Sequence, residues 1–139
     1  GNSLALAETP KVLKAVQAFQ KLPEAAALAA ANKRIVNILK KAGKEYQGAK
    51  SAQLAEPAER ALYETLQKLR PEVESSFKAH DYTAALQRLA ALKQPVDAFF
   101  DSVMVMAEDA ALRENRLALL GDLRQLMNRV ADISRLAAQ

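Results

Sequence analysis

Hydrophobic positions in this chain recur every three or four residues, and Pro, Gly and Asp divide them into helix-length runs. Thr9-Pro10 reads as an N-cap and a first-turn proline, opening a helix to about Leu22 that buries Val12 or Leu13, Val16 and Phe19. Pro23 restarts the chain, Glu24 complements the dipole of the new N-terminus, and Gly43 is a natural terminator after Ala42. In this second helix Leu28, Ala31, Ile35, Leu39 and Ala42 share one narrow stripe, and Lys33, Asn37, Lys40 and Lys44 cluster opposite it. Residues 43–55 are polar, basic and Gly-containing, a pattern that predicts a mobile connection.

Glu56-Pro57 opens a third helix with Leu62, Leu66 and Leu69 on its inner face. Pro71 predicts a kink or restart before Val73 and Phe77, with an end near His80. Asp81 caps a fourth helix bearing Ala85, Leu86, Leu89 and Leu92, and Pro95 restarts the chain before Val96, Phe99 and Phe100. Met104 and Met106, in the apolar run Val103-Met104-Val105-Met106, are expected to fill core gaps. A last long helix, from about Glu108 to Arg129, carries Leu112, Leu119, Leu123, Leu126 and Val130. Gly121 is the odd residue there, costing up to about 1 kcal/mol against Ala unless close packing needs it. Residues 132–136 are expected to fold back onto the bundle. The expectation is an all-α fold: one bundle of five to six helices over residues 9–139. Residues 1–8 read as a flexible lead-in, because Gly1-Asn2-Ser3 lacks an initiating Met and looks like a tag scar.

Composition supports this reading. Of 139 residues half are hydrophobic but only 5% aromatic, so Ala and Leu, both strong helix formers, carry the apolar count. With no Cys there is neither a disulfide framework nor a thiolate nucleophile, which agrees with a reducing compartment. No apolar run reaches the roughly 20 residues a bilayer requires, so no membrane association is expected. The net charge of +4 is unevenly spread. Residues 1–50 hold nine Lys/Arg against three acids, or +6, whereas the remainder holds eleven against thirteen, or −2. A basic front half on a near-neutral body points toward a polyanionic partner.

Catalytic residue sets are hard to find. His80, the single histidine, can be a general base or a residue at a helix C-terminus, and the second reading is favoured. One His and no Cys cannot build a structural zinc site. Glu108-Asp109 is better explained as a helix cap than as a carboxylate pair, and Gly43 and Gly48 are wrongly spaced for a phosphate loop.

Two stretches carry a resemblance. One is Leu28-Ala29-Ala30-Ala31-Asn32-Lys33-Arg34-Ile35-Val36-Asn37-Ile38-Leu39. The other runs from Asp97-Ala98-Phe99-Phe100-Asp101-Ser102-Val103-Met104-Val105-Met106-Ala107-Glu108-Asp109 through Ala110-Ala111-Leu112-Arg113-Glu114-Asn115-Arg116-Leu117 to Val130-Ala131-Asp132-Ile133-Ser134. Together they resemble the C-terminal region of bacterial glycyl-tRNA synthetase beta subunits, a helical anticodon-binding domain named for an Asp-Ala-Leu-Arg motif. Here Asp109-Ala110-Ala111-Leu112-Arg113 has one extra residue, a departure that weakens residue transfer from other branches. The resemblance implies a cytoplasmic, non-catalytic domain, monomeric as a fragment, that binds the anticodon arm of glycine tRNA, whose anticodon ends in two cytosines. It implies no cofactor in this domain. ATP and Mg2+ would belong to the parent's catalytic alpha subunit, and the rest of the beta subunit would be a further partner.

Loop RNA is held through phosphate contacts, stacking and hydrogen bonds to unpaired base edges. Lys33, Asn37, Lys40 and Lys44, flanked by Arg34 and Lys41, suit the first role, or form an ordinary solvated face. Tyr46, set among lysines, can stack a base or be a plain exposed tyrosine. Arg113 and Arg116 can bind RNA or lock the bundle, as in an Asp109–Arg113 pair four residues apart. Asn115 lies near the apolar stripe, where fixing a neighbouring backbone is favoured over reading a base. Asn32 and Leu112 are motif positions with structural roles. A different class of function, a helical protein–protein docking module with a basic face, fits the same composition.

Overall fold

The computed structural model describes residues 2–138, with side-chain surroundings for residues 10–138. Among the described residues there are six α-helices and one short 3-10 turn: α1 (Asn2–Gln20), α2 (Pro23–Ala42), α3 (Pro57–Lys78), α4 (Tyr82–Ala90), α5 (Lys93–Ser102) and α6 (Ala110–Ala137), with the turn at Ser51–Gln53. This is the expected all-α bundle. α6 packs against α1, α2, α3 and α4, while α3 also packs on α4 and α5. The centre of the bundle is therefore α6.

The middle of α6 shows why. Asn115, Arg116, Leu117, Ala118, Leu119, Leu120 and Gly121 are all buried, although they point in every direction around the helix. A helix buried all round sits inside a core rather than on its edge. Leu62, Val73, Leu89, Leu92 and Phe99 from the rest of the chain share one buried core with Leu123 and Ile133 of α6. Each fully buried side chain of this size contributes about 1.5–3 kcal/mol.

Several boundaries differ from the expectations, each for a physical reason. α1 runs through Thr9 and Pro10 instead of starting there. Leu4, Ala5, Leu6 and Ala7 are strong helix formers, and Pro10 removes only one intrahelical hydrogen bond. Gly1 lies outside the described residues. Val12, not Leu13, takes the core position; Leu13 is 42% exposed. α3 passes unbroken through Pro71, which lies on its exposed face, where water can satisfy the carbonyl left without a partner. α5 begins at Lys93, so Pro95 falls in a first turn whose N–H groups need no intrahelical partner.

α3 ends in a left-handed residue, His80, at φ 59°. The Asp81 N–H donates to the Ser76 carbonyl at 2.9 Å and the His80 N–H to that of Phe77 at 3.0 Å, the reciprocal pattern of a Schellman terminator. Asp81 then caps α4, its carboxylate accepting from the Ala84 N–H at 3.1 Å. The role of His80 here is backbone geometry at a helix end.

Two expectations near α6 are overturned. Residues 132–136 do not fold back; they continue α6, because no Gly or Pro lies between Asp122 and Ala137 and Ile133 finds a fully buried place. The methionines do not fill core gaps either. Residues 103–106 are not helical, so neighbouring side chains take opposite sides: Val103 and Val105 are buried, whereas Met104 and Met106 are 71% and 56% exposed.

Candidate nucleic-acid interface

The stripe on α2 sets its exposed face. With Leu28, Ile35 and Leu39 buried, Lys33, Arg34, Asn37, Lys40, Lys41 and Lys44 are left exposed in and around one strip. Gly43, at φ 85°, ends the helix, its N–H donating to the carbonyls of Leu39 and Lys40. The chain then turns across the bundle as a strap.

The strap was expected to be mobile, and the structure corrects this by fastening it to α6. Gly48 and Ala49 donate their N–H groups to the two carboxylate oxygens of Asp122, at 2.7 and 2.9 Å. The Asn115 carboxamide accepts from the Lys50 N–H at 2.7 Å and donates to the Lys50 carbonyl at 3.1 Å. Asn115 is 5% exposed, so it serves the strap backbone and is withheld from a ligand. Gly121 explains itself here: a Cβ at that position would lie 1.7 Å from the Tyr46 carbonyl oxygen and 2.6 Å from its carbon. Only a residue without a side chain lets the strap come this close.

An open groove of about 640 Å³ results, bounded by two helix faces and the strap. Val36, Leu39, Lys40 and Gly43 form the α2 wall, and Gly121, Arg124, Gln125 and Asn128 the α6 wall. Both sets follow the i, i+3, i+4, i+7 spacing of a single helix face. Lys44, Glu45, Tyr46 and Gln47 of the strap complete the lining. The Lys44 ammonium lies 5.0 Å from the centre of the Tyr46 ring and 3.6 Å from the Glu114 carboxylate. Gln125 donates to Gln47 across the groove.

The structure thus gathers Lys40, Lys44 and Tyr46 at the groove and leaves Lys33 and Asn37 farther along α2. Arg34 lies with its guanidinium 4.3 Å over the Phe100 ring, which fixes it against α5. Arg124, Gln125, Asn128 and Gln47 belong to the site although sequence reasoning passed over them. The one sequence signal was Gly121, an unexplained glycine amid polar residues at helical spacing.

Arg113 and Arg116 are not brought to this groove. Arg116 is 5% exposed; it donates to Glu59 at 2.8 Å and to the Met104 carbonyl at 2.7 Å, so its candidacy as an RNA contact is overturned by burial. Glu59 also accepts the Glu56 N–H at 3.0 Å, joining the α3 N-terminus to the residues before α6. Arg113 donates to the Ala107 carbonyl at 3.0 Å in place of the expected pair with Asp109. Asp109 caps α6 by accepting the N–H of half-buried Leu112 at 2.9 Å. Asn32 is half-buried, with its carboxamide oxygen enclosed and lacking a donor.

On the far end of α6, Arg129 grips Glu74 through two 2.6 Å hydrogen bonds and lies 4.5 Å over the Phe77 ring. The Arg129 guanidinium holds the Glu74 carboxyl below its usual value, and Glu74 raises Arg129 in return.

Residues 28–134 match the model of the DALR anticodon binding domain. The chain belongs to this family. It is 59% identical over 138 residues to the glycine–tRNA ligase beta subunit of Thiobacillus denitrificans, a match covering 99% of this chain and 20% of that protein. It is 60% identical over 134 residues to the protein of the same description from Delftia acidovorans, covering 96% and 19%. The chain thus spans about a fifth of the length of these relatives. Among the described residues no helix is long and apolar enough to cross a membrane, and no group of three or more His, Cys, Asp or Glu is placed to hold a metal ion.

Proposed function

We propose that this chain is the anticodon-binding module of a bacterial glycine–tRNA ligase beta subunit, and that it holds the anticodon arm of glycine tRNA along α2 and the strap. The observation that carries this is the exposed basic strip of α2 meeting, at Lys40 and Lys44, an open groove lined by a half-buried aromatic ring and by amide side chains. Lysines neutralise phosphates and Tyr46 gives a base a planar surface, the combination that unpaired RNA requires. The chain itself binds without a cofactor and acts as a monomer. ATP and Mg2+ serve the catalytic alpha subunit of the parent complex, and the rest of the beta subunit and that alpha subunit are its protein partners. The setting is the cytoplasm, where tRNA is charged.

The test is a titration with a labelled glycine-tRNA anticodon stem-loop at low and moderate salt, beside a loop with both anticodon cytosines replaced. Preference for the native loop is the expected result. Equal binding of both loops that collapses with salt would reduce the surface to a generic polyanion site. Absence of binding even at low salt would favour the docking-module reading, with exposed Met104 and Met106 as its apolar contact.

A further inference from the structure

We infer that Met104 and Met106 are the contact through which this domain docks onto the remainder of its own beta-subunit chain, at an apolar patch rimmed by basic groups; this rests on the reading of the chain as a module of that subunit. The two are the most exposed large hydrophobic side chains among the described residues, at 71% and 56%. Single apolar residues scattered on a surface are ordinary. This pair differs because its backbone is fixed from beneath.

Val103 and Val105, at 7% and 8% exposure, anchor the segment in the core and leave the alternate side chains outside. The Val103 N–H donates to the Phe99 carbonyl at 2.9 Å, and Arg116 donates to the Met104 carbonyl at 2.7 Å. Arg113 holds the following residues through the carbonyls of Ala107 and Glu108, at 3.0 and 3.4 Å. Arg116 is in turn locked by Glu59. That buried pair touches no partner itself; it fixes the backbone of the residues that do. Ordering a loop and burying a charge pair are both costly, and here they hold two thioethers out in water. Methionine adapts to the surface it meets, and a segment ordered in advance loses little freedom on contact.

Charge and area select the occupant. Residues 94–112 hold Asp97, Asp101, Glu108 and Asp109 and no Lys or Arg, and all four acids are exposed. Such a rim repels phosphates, which disfavours RNA, and attracts a surface carrying basic groups. A second copy of the chain would set the same acids against one another. Stable association of separate chains takes about 800 Å² from each partner, and two methionines with their surroundings fall far short. A surface on the same polypeptide needs less, because the tether raises its effective concentration to roughly millimolar. The relatives have such a surface to offer, since this chain spans about a fifth of their length.

The test is oxidation by dilute hydrogen peroxide, read peptide by peptide by mass spectrometry, on the 139-residue chain and on the whole beta subunit that carries it. Peroxide gives one oxygen to the sulfur and leaves as water, at a rate that follows exposure. In the 139-residue chain Met104 and Met106 should oxidise about tenfold faster than Met127, which is 6% exposed and reports an intact fold. In the whole subunit they should slow by about tenfold, with Met127 unchanged. Joint Met104→Gln and Met106→Gln substitution in the whole subunit should raise amide exchange of residues 103–107 to the rate of the 139-residue chain. Equal oxidation of the two methionines in both proteins, or exchange unmoved by the double substitution, would overturn the inference. Protection that appears only on adding the alpha subunit, the anticodon stem-loop or more of the 139-residue chain would overturn it in favour of that partner. Stem-loop binding by the native chain separates the two proposals: if it persists while the methionines stay open, only the docking contact falls. If it is absent while the methionines are protected, only the RNA-binding function falls.

Discussion

Two flanks of α6 are fastened by polar side chains, in opposite ways. On one flank a charge pair, Arg116 with Glu59, is buried almost completely, at 6% and 0% side-chain exposure. On the other, Asn115 and Asp122 hold strap backbone at part-buried or exposed bonds beside Gly121. The first flank ties together the scaffold: α3, α6 and the residues between α5 and α6. The second positions the wall of the groove. Charge inside a core is costly unless paired, so it serves where nothing needs to move or bind. Backbone-directed bonds nearer water define the shape of a loop and leave cations close by free for a ligand.

Removing one partner of the buried pair should produce the largest effect. Arg116→Ala strands the Glu59 carboxylate and is expected to destabilise the fold by about 3–5 kcal/mol in urea unfolding. The fraction that remains folded should keep its loop preference, because the groove is untouched. If Arg116→Ala altered selectivity at constant fold, the separation of the two flanks would be wrong.

Gly121→Ala tests the other flank. The added methyl must displace the Tyr46 carbonyl from 1.7 Å, and this strain, at about 1–3 kcal/mol, should outweigh the helix-propensity gain of about 1 kcal/mol. Amide exchange at Gly48, Ala49 and Lys50 should accelerate together, and loop binding should fall with it. Asn115→Ala leaves the Lys50 backbone unpaired and should cost about 1–3 kcal/mol, with faster exchange centred on Lys50.

Lys40→Ala sharpens the contrast from the ligand side. Thermal stability should change by no more than about 0.5 kcal/mol, whereas all loops should bind more weakly and the salt slope should fall by about one unit. The smallest effect belongs to the exposed counterpart of the buried pair. Glu74→Gln breaks a bidentate contact, but Glu74 is 38% exposed in its side chain, so solvent screening should hold the loss below about 1 kcal/mol at neutral pH. Arg129 lowers the Glu74 carboxyl, and that contribution is present above the unfolded value, about 4.3, and disappears as pH falls through the lower folded one. The difference between native and variant stability should therefore vanish in acid. A gap that widened there would reverse the assigned direction.

The helices of this chain are legible because their causes are local. The stripe through Leu28, Ile35 and Leu39, the stop at Gly43 and the cap at Asp81 each follow from residues within a turn or two. Boundaries failed where one local signal overruled propensity. Pro10 marks a helix start and Pro71 a kink or restart by their local chemistry, yet each lies inside a helix and removes one hydrogen bond from an otherwise strong one. Within the site, the basic strip of α2 could be seen in advance, since an exposed face is the complement of a buried one.

What depends on distant partners could not be seen. Arg116 and Arg124 are alike in sequence, but one pairs with Glu59, 57 residues away, and the other takes part in no side-chain hydrogen bond or ion pair among the described residues and lines the groove. Asn115 was recognisable as a polar residue on an apolar flank, but its partner Lys50 lies 65 residues away and belongs to a segment with no pattern of its own. By itself the sequence determined the helices, their inner faces and the family. Only the tertiary structure decided which cations are consumed in the scaffold, how the strap is held, and where α2 and α6 leave a groove between them. The reason is physical: periodicity records which side of a helix avoids water, whereas availability for binding depends on what each polar group finds across the bundle.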